Sequence, residues 1–182
     1  MKIVRENITS FERGGDPYRK LGVGRAALIE KWFSDLGISS DKYTIDKDFN
    51  INVYGDLYLG GTNITSLPDN LSVRGWLDLD GTDITSLPND LNVGKSLFLR
   101  VTKITSLPND LSVGMNLFLY GTKITSFPDN LSVEWSLYLY GTNITSLPNN
   151  LNVGRDIWLD KDRRNKVYVP EYLKEKVKYE NE

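Results

Sequence analysis

Residues 77–96 read LDLDGTDITSLPNDLNVGKS, and residues 97–116 read LFLRVTKITSLPNDLSVGMN. Placed one above the other, the two lines keep Leu-x-Leu, Thr, Ile-Thr-Ser-Leu-Pro and Leu-x-Val in the same columns. Working outward, the same phrase fills 57–76, 117–136 and 137–156, so five complete copies of LxLxGTxITSLPxxLxVxxx run from 57 to 156. The Leu-x-Leu pairs begin at Leu57, Leu77, Leu97, Leu117 and Leu137, and Ile157-Trp158-Leu159 opens a further partial copy. An internal period of this kind governs every later structural assignment.

A unit of twenty residues cannot bury its own apolar side. Its copies must stack and share one continuous core. Leu77 and Leu79 alternate with Asp78, the period of two that turns one face of a strand inward. Gly81 marks a tight bend, and the Thr82 hydroxyl is placed to bond nearby backbone. Ile84, Leu87, Leu91 and Val93 bring the return path back to the interior, and the proline after Leu87 blocks a regular α-helix there. With strands about 4.8 Å apart, six of them predict a parallel sheet roughly 25–30 Å long.

These phrases resemble the leucine-rich repeat family, in the short bacterial subtype whose Leu-Pro motif replaces the convex helix. The resemblance covers 57–156 in full and about 157–173 in part. It departs from the family pattern in carrying Thr62, Thr82, Thr102, Thr122 and Thr142 where asparagine is usual, and in lacking one leucine between Leu71 and Leu77. It implies an α/β-type solenoid: a leucine-rich horseshoe with one parallel β-sheet on the concave face, few helices and an N-terminal helical cap. Residues 1–56 are expected to form that cap, with a helix over about 24–36. The helix stretch GRAALIEKWFSDL sets Leu28, Ile29, Trp32, Phe33 and Leu36 at helical spacings, with Gly37 at its C-terminal end. Phe49, Ile51 and Val53 alternate as a degenerate half-repeat, with Ile51 and Val53 one period before Leu71 and Val73. Residues 157–182 are expected to hold a partial repeat and a C-terminal cap, with EYLKEKVKYENE as a short polar helix or frayed tail. The leader FERGGDPYRKLGVG further resembles leucine-rich proteins of bacteria and their phages.

Composition narrows the chemistry. The chain has 182 residues and contains neither cysteine nor histidine, which removes disulfides, thiolate nucleophiles, Cys/His zinc sites and imidazole-dependent triads. No enzymatic activity and no cofactor are expected. No apolar run approaches the roughly 18 residues of a spanning helix, so no membrane role is expected. The start MKIVRENITSF offers only Ile3 and Val4 before Arg5 and Glu6, so no signal peptide is expected. The expected location is the cytoplasm, that of the host cell if the chain is phage-encoded.

With the leucines inward, the residues between them form a central outward column: Tyr58, Asp78, Phe98, Phe118, Tyr138 and Trp158. The column to its C-terminal side reads Gly60, Asp80, Arg100, Tyr120, Tyr140, Asp160, and the one to its N-terminal side reads Asp56, Trp76, Ser96, Asn116, Ser136, Asp156. Eight aromatics are thereby projected onto one face, the kind of contiguous apolar surface that marks interaction sites and the residue types that dominate hot spots. The expected partner is another protein, held by Tyr58, Trp76, Asp78, Asp80, Phe98, Arg100, Phe118, Tyr120, Tyr138, Tyr140 and Trp158. The resemblance adds a possible role as an inhibitor of a host protein. The alternatives are a stabilising ring ladder, a carbohydrate or nucleotide ligand, and self-association as a homodimer.

Other motifs read as structural. Asp78-x-Asp80-Gly81-x-Asp83 and Asp160-x-Asp162 lack the distal glutamate of a calcium loop, so no metal is expected. Paired carboxylates on an open sheet lack the pocket a glycosidase needs. Residues 37–154 hold seven basic and twelve acidic side chains, a net of −5, so no nucleic acid is expected. Arg13, Arg19, Lys20, Arg25 and Lys31 read as a solvated face, Gly22-x-Gly24 as a turn, and the sequons at Asn7, Asn63, Asn70, Asn130 and Asn143 as by-products of the repeat.

Overall fold

A computed structural model of the chain describes residues 24–128 and 130–180. The leader phrase up to Val23, with Arg13, Arg19, Lys20, Gly22 and the Asn7 sequon, lies outside the described residues. The expected helix is α1, Arg25–Asp35, and it ends as the sequence suggests. Gly37 takes φ +73°, Ile38 N–H donates to the Phe33 carbonyl and Gly37 N–H to that of Ser34, a Schellman closure. Ile29, Trp32 and Phe33 are buried, and the Phe33 ring stacks on Tyr43 at 4.0 Å.

Beyond a 3-10 turn at Ser40–Lys42, β1 (Tyr43–Ile45) and β2 (Ile51–Val53) form an antiparallel hairpin. Asp46 Oδ1 accepts the N–H groups of Asp48 and Asn50, both at 2.9 Å, and Phe49 turns the corner at φ +61°. Phe49 therefore belongs to the loop rather than to the alternating strand.

Each twenty-residue unit then contributes two short strands to two different sheets. The Leu-x-Leu sheet is built from β3 (Leu57–Tyr58), β5 (Leu77–Asp78), β7 (Leu97–Phe98), β9 (Leu117–Phe118), β11 (Leu137–Tyr138), β13 (Ile157–Leu159) and β14 (Val177–Tyr179). The return sheet adds β4 (Leu71–Val73), β6 (Asn92–Val93), β8 (Ser112–Val113), β10 (Ser132–Val133) and β12 (Asn152–Val153) to β1 and β2. Apart from the β1–β2 hairpin, the strands pair in parallel at a constant offset of twenty, as in Leu77↔Leu97 and Val93↔Val113. The molecule is a β-solenoid of about six turns.

Two parallel sheets replace the single one expected. Leu71-Ser72-Val73 alternates inward and outward as Leu77-Asp78-Leu79 does, and stacked extended copies satisfy each other's backbone by pairing. The expected register of Ile51 with Leu71 and of Val53 with Val73 is present.

Between the sheets, Leu57, Leu77, Leu97, Leu117, Leu137 and Ile157 are buried, as are the Leu59-type residues, Ile84, Ile104, Ile124, Ile144 and the Val73 column, while Ile64 is partly buried. The bend after each Leu-x-Leu is a type II β-turn. The Thr62, Thr82, Thr102, Thr122 and Thr142 hydroxyls each donate to the carbonyl three residues back at 2.6–2.9 Å, while their own N–H groups close the turn onto the same oxygen. Gly61, Gly81, Gly121 and Gly141 occupy the third position with φ between +66° and +70°, where the turn requires a left-handed residue. The third copy has Val101 there, at φ +59° and 64% exposed.

At the C-terminal end the expected short polar helix is present over the first six residues only, and a strand follows it. Glu171–Lys176 is a 3-10 turn, and β14 continues the Leu-x-Leu sheet through Ile157↔Val177 and Leu159↔Tyr179. Lys176 Nζ donates to the Val153 carbonyl and Tyr172 Oη to that of Leu151, at 2.5 and 2.9 Å, engaging the last turn of the return sheet.

Candidate functional site

The outer side of the Leu-x-Leu sheet carries the residues singled out from the sequence. A constant twenty-residue offset places Tyr58 beside Asp78, Asp78 beside Phe98, Phe98 beside Phe118, Phe118 beside Tyr138 and Tyr138 beside Trp158. Lys178 of β14 follows as the next member of the column.

Strand spacing then dictates how the rings meet. Phe98 and Phe118 lie with centroids 4.7 Å apart and planes 6° from parallel, and Phe118 and Tyr138 are at 4.5 Å and 13°. Tyr138 and Trp158 are also parallel, within 2°, at 6.3 Å. Trp76 meets Phe98 edge-on at 6.4 Å, and the Arg100 guanidinium carbon sits 5.6 Å from the Phe98 centroid. The ring planes stand across the sheet with their faces turned to one another. What remains open to solvent is a row of ring edges, each ring half-buried.

The flanking columns are organised by hydrogen bonds between turns. Asp80 accepts Arg100 N–H on Oδ1 and Arg100 Nε–H on Oδ2, both at 2.6 Å, so one carboxylate clamps backbone and guanidinium together. That bond holds the Arg100 proton more firmly than in a free arginine. Asp78 Oδ1 accepts Asp80 N–H at 2.9 Å, and Asp160 Oδ2 accepts Gly141 N–H at 2.8 Å. Tyr140 is partly buried against Tyr138, and its phenol is pushed above the ordinary value of 10, first by desolvation and then by Glu180. Tyr120 stands free of that packing and is 51% exposed.

On the other flank, side chains supply acceptors to the next turn. Asp56 Oδ1 accepts Trp76 N–H at 2.8 Å, Ser96 Oγ accepts Asn116 N–H at 3.2 Å, and Asn116 Oδ1 accepts Ser136 N–H at 3.1 Å. Ser96 and Ser136 are buried, so they serve the scaffold rather than the surface. Short acceptor side chains recurring every twenty residues carried that signal in the sequence.

All eleven proposed residues thus share one face, but they differ in availability. Tyr58 and Tyr120 project most, Trp76 is 39% exposed, and the stacked rings offer edges only. Two neighbours escaped the sequence reading. Trp135 lies at the corner beside Ser136, exposed, with Arg155 stacked 4.2 Å above its ring, and Val101 adds an exposed apolar branch next to Arg100. Trp135 was legible as part of the column Lys95, Met115, Trp135, Arg155. No trio of carboxylates that could hold a metal ion occurs among the described residues, and none of their helices is long and apolar enough to cross a membrane.

The chain matches no protein family, no curated protein and no solved structure.

Proposed function

We propose that the chain is a small leucine-rich solenoid of the short bacterial type, closed at its N-terminal end by α1, and that the outer face of its Leu-x-Leu sheet binds another protein without catalysing a reaction. The observation that carries this reading is the mutual stacking of Phe98, Phe118 and Tyr138 at 4.5–4.7 Å. A sugar or a base docks onto an open aromatic face. Here those faces are occupied by neighbouring rings, which favours a broad, flat counterpart that packs against ring edges and the projecting Tyr58, Trp76 and Tyr120. Rigid strands hold these anchors in place before contact, so little order has to be imposed on binding. The likeness of the repeats to bacterial and phage proteins supports a cytoplasmic inhibitor of a host protein as the biological setting.

The test is site-specific photocrosslinking. A benzophenone side chain placed at Tyr120 is expected to capture a discrete protein in extracts of the encoding organism or its host. The same group at Ser112, on the exposed side of the return sheet, serves as the control. Equal labelling from both positions, or none from Tyr120, overturns the reading.

A further inference from the structure

We infer that the protein bound by the Leu-x-Leu face presents two cationic groups that bracket an apolar patch. The inference rests on the reading of that face as a protein-binding surface and adds the chemistry of the partner.

Carboxylates lie at both ends of the ring row and are missing from its middle. Asp56 and Asp78 stand before the first stacked ring, and Asp156, Asp160 and Glu180 surround or follow Trp158. Asp80 is neutralised by Arg100, with Nη2 to Oδ2 at 2.5 Å. Asp56, Asp78, Asp156, Asp160 and Glu180 have no ion pair among the described residues, whereas Asp35, Asp83 and Asp162, away from this face, each pair with a lysine. Other cations sit at the rim rather than on these carboxylates: Lys178 Nζ donates to the Glu175 carbonyl, Lys95 Nζ lies 5.6 Å over the Trp76 ring, and Arg155 stacks on Trp135. The aromatic strip is therefore flanked at both ends by carboxylates that outnumber the nearby cations and form no ion pair with them, the arrangement through which charge complementarity selects and steers partners.

The same distribution argues against a second copy of this chain as the occupant. Because both ends of the strip are acidic, either aligned two-fold pairing of two such faces sets carboxylates against carboxylates, a costly juxtaposition. A hetero-partner with ammonium or guanidinium groups at both ends avoids it. Asp78 and Asp156 are four turns apart in the stack, or roughly 19 Å at about 4.8 Å per strand. An extended segment advances about 3.3 Å per residue, so two basic side chains about six residues apart reach both ends.

A phage-displayed library of random twelve-residue peptides, selected on the full chain, tests this directly. Peptides that lose binding to Tyr120→Ser define those using the face. They are expected to be enriched at least threefold in lysine and arginine, with basic pairs spaced about six residues apart around an apolar centre. Their affinity is expected to fall tenfold or more on Asp78→Asn/Asp156→Asn/Asp160→Asn, in which amide oxygens at 78 and 160 still accept the Asp80 and Gly141 N–H groups, and to weaken in 0.5 M salt. Face-dependent peptides without basic enrichment, or indifferent to the asparagine variant, overturn the inference and leave the binding reading standing. Absence of any Tyr120-dependent peptide overturns both.

Discussion

The ring of Phe118 lies 4.7 Å from that of Phe98 and within 6° of parallel to it, and it repeats that relationship with Tyr138 on its other side at 4.5 Å. The spacing is that of adjacent parallel strands. The rings are thus held in contact by the backbone ladder, and they tighten the ladder in return.

Phe118 occupies the middle of the row, so Phe118→Ser removes two stacked pairs and opens space between Phe98 and Tyr138. A loss of about 2–3 kcal/mol is expected from the two pairs and the truncated ring. For a chain of this length that is roughly 4–12 °C in melting temperature. Phe118→Leu, which keeps the apolar bulk, is expected to lose less than half as much. Calorimetry that finds the serine variant unchanged removes the ladder from the stability of the fold.

Val101 is a β-branched residue at φ +59° in a turn whose other copies carry glycine. Left-handed backbone costs a non-glycine residue roughly 1–2 kcal/mol, partly offset by the extra freedom glycine has in the unfolded chain. Val101→Gly is therefore expected to stabilise by about 1 kcal/mol, a rise of roughly 2–4 °C. Thermal unfolding checks the sign, and an unchanged or lower midpoint refutes it. A strained, exposed valine beside Arg100 fits the association of such strain with functional surfaces.

β14 pairs with β13 through Ile157↔Val177 and shields the last Leu-x-Leu strand. A chain ending at Lys176 leaves that strand as an open edge, with Leu159 newly exposed. Open parallel edges invite pairing with other chains. Sedimentation is expected to show association that the full chain lacks at equal concentration, together with a lower melting temperature. A monomeric truncated chain of unchanged stability excludes a protective role for β14.

The Tyr140 phenol is raised above 10 by desolvation first and by Glu180 second. Because the folded chain holds this proton more tightly than the unfolded one, the stabilisation is fully present below pH 10 and is lost as pH rises through the folded value. Urea unfolding between pH 9 and 11 is expected to show stability falling more steeply in the wild type than in Tyr140→Phe. Parallel slopes for the two proteins exclude the shift.

The stack was legible because its period is constant. Leu77, Leu97 and Leu117 recur every twenty residues, and a uniform period in a parallel stack leaves one register, which fixes the columns of the outer face. The inward leucines and the Ile51–Leu71 pairing followed from the same arithmetic. The second sheet was harder to see because Leu-Ser-Val in the return path is too short to separate strand from extended loop by alternation alone. β14 was hidden by composition, since Val177 stands one period after Ile157 but among lysines, a tyrosine and glutamates that read as a solvated tail.

The sequence by itself determined the solenoid, its register, the inward core and the three outer columns from Asp56 to Asp160, because these depend only on period two within a strand and period twenty between turns. Tertiary structure decided which of those side chains are available. Whether Phe118 offers a face or an edge, whether Ser96 meets solvent or the Asn116 amide, and whether Asp80 is free or bound to Arg100 depend on distances across the stack. Such distances are set by the pairing of whole turns, which no local stretch of twenty residues contains.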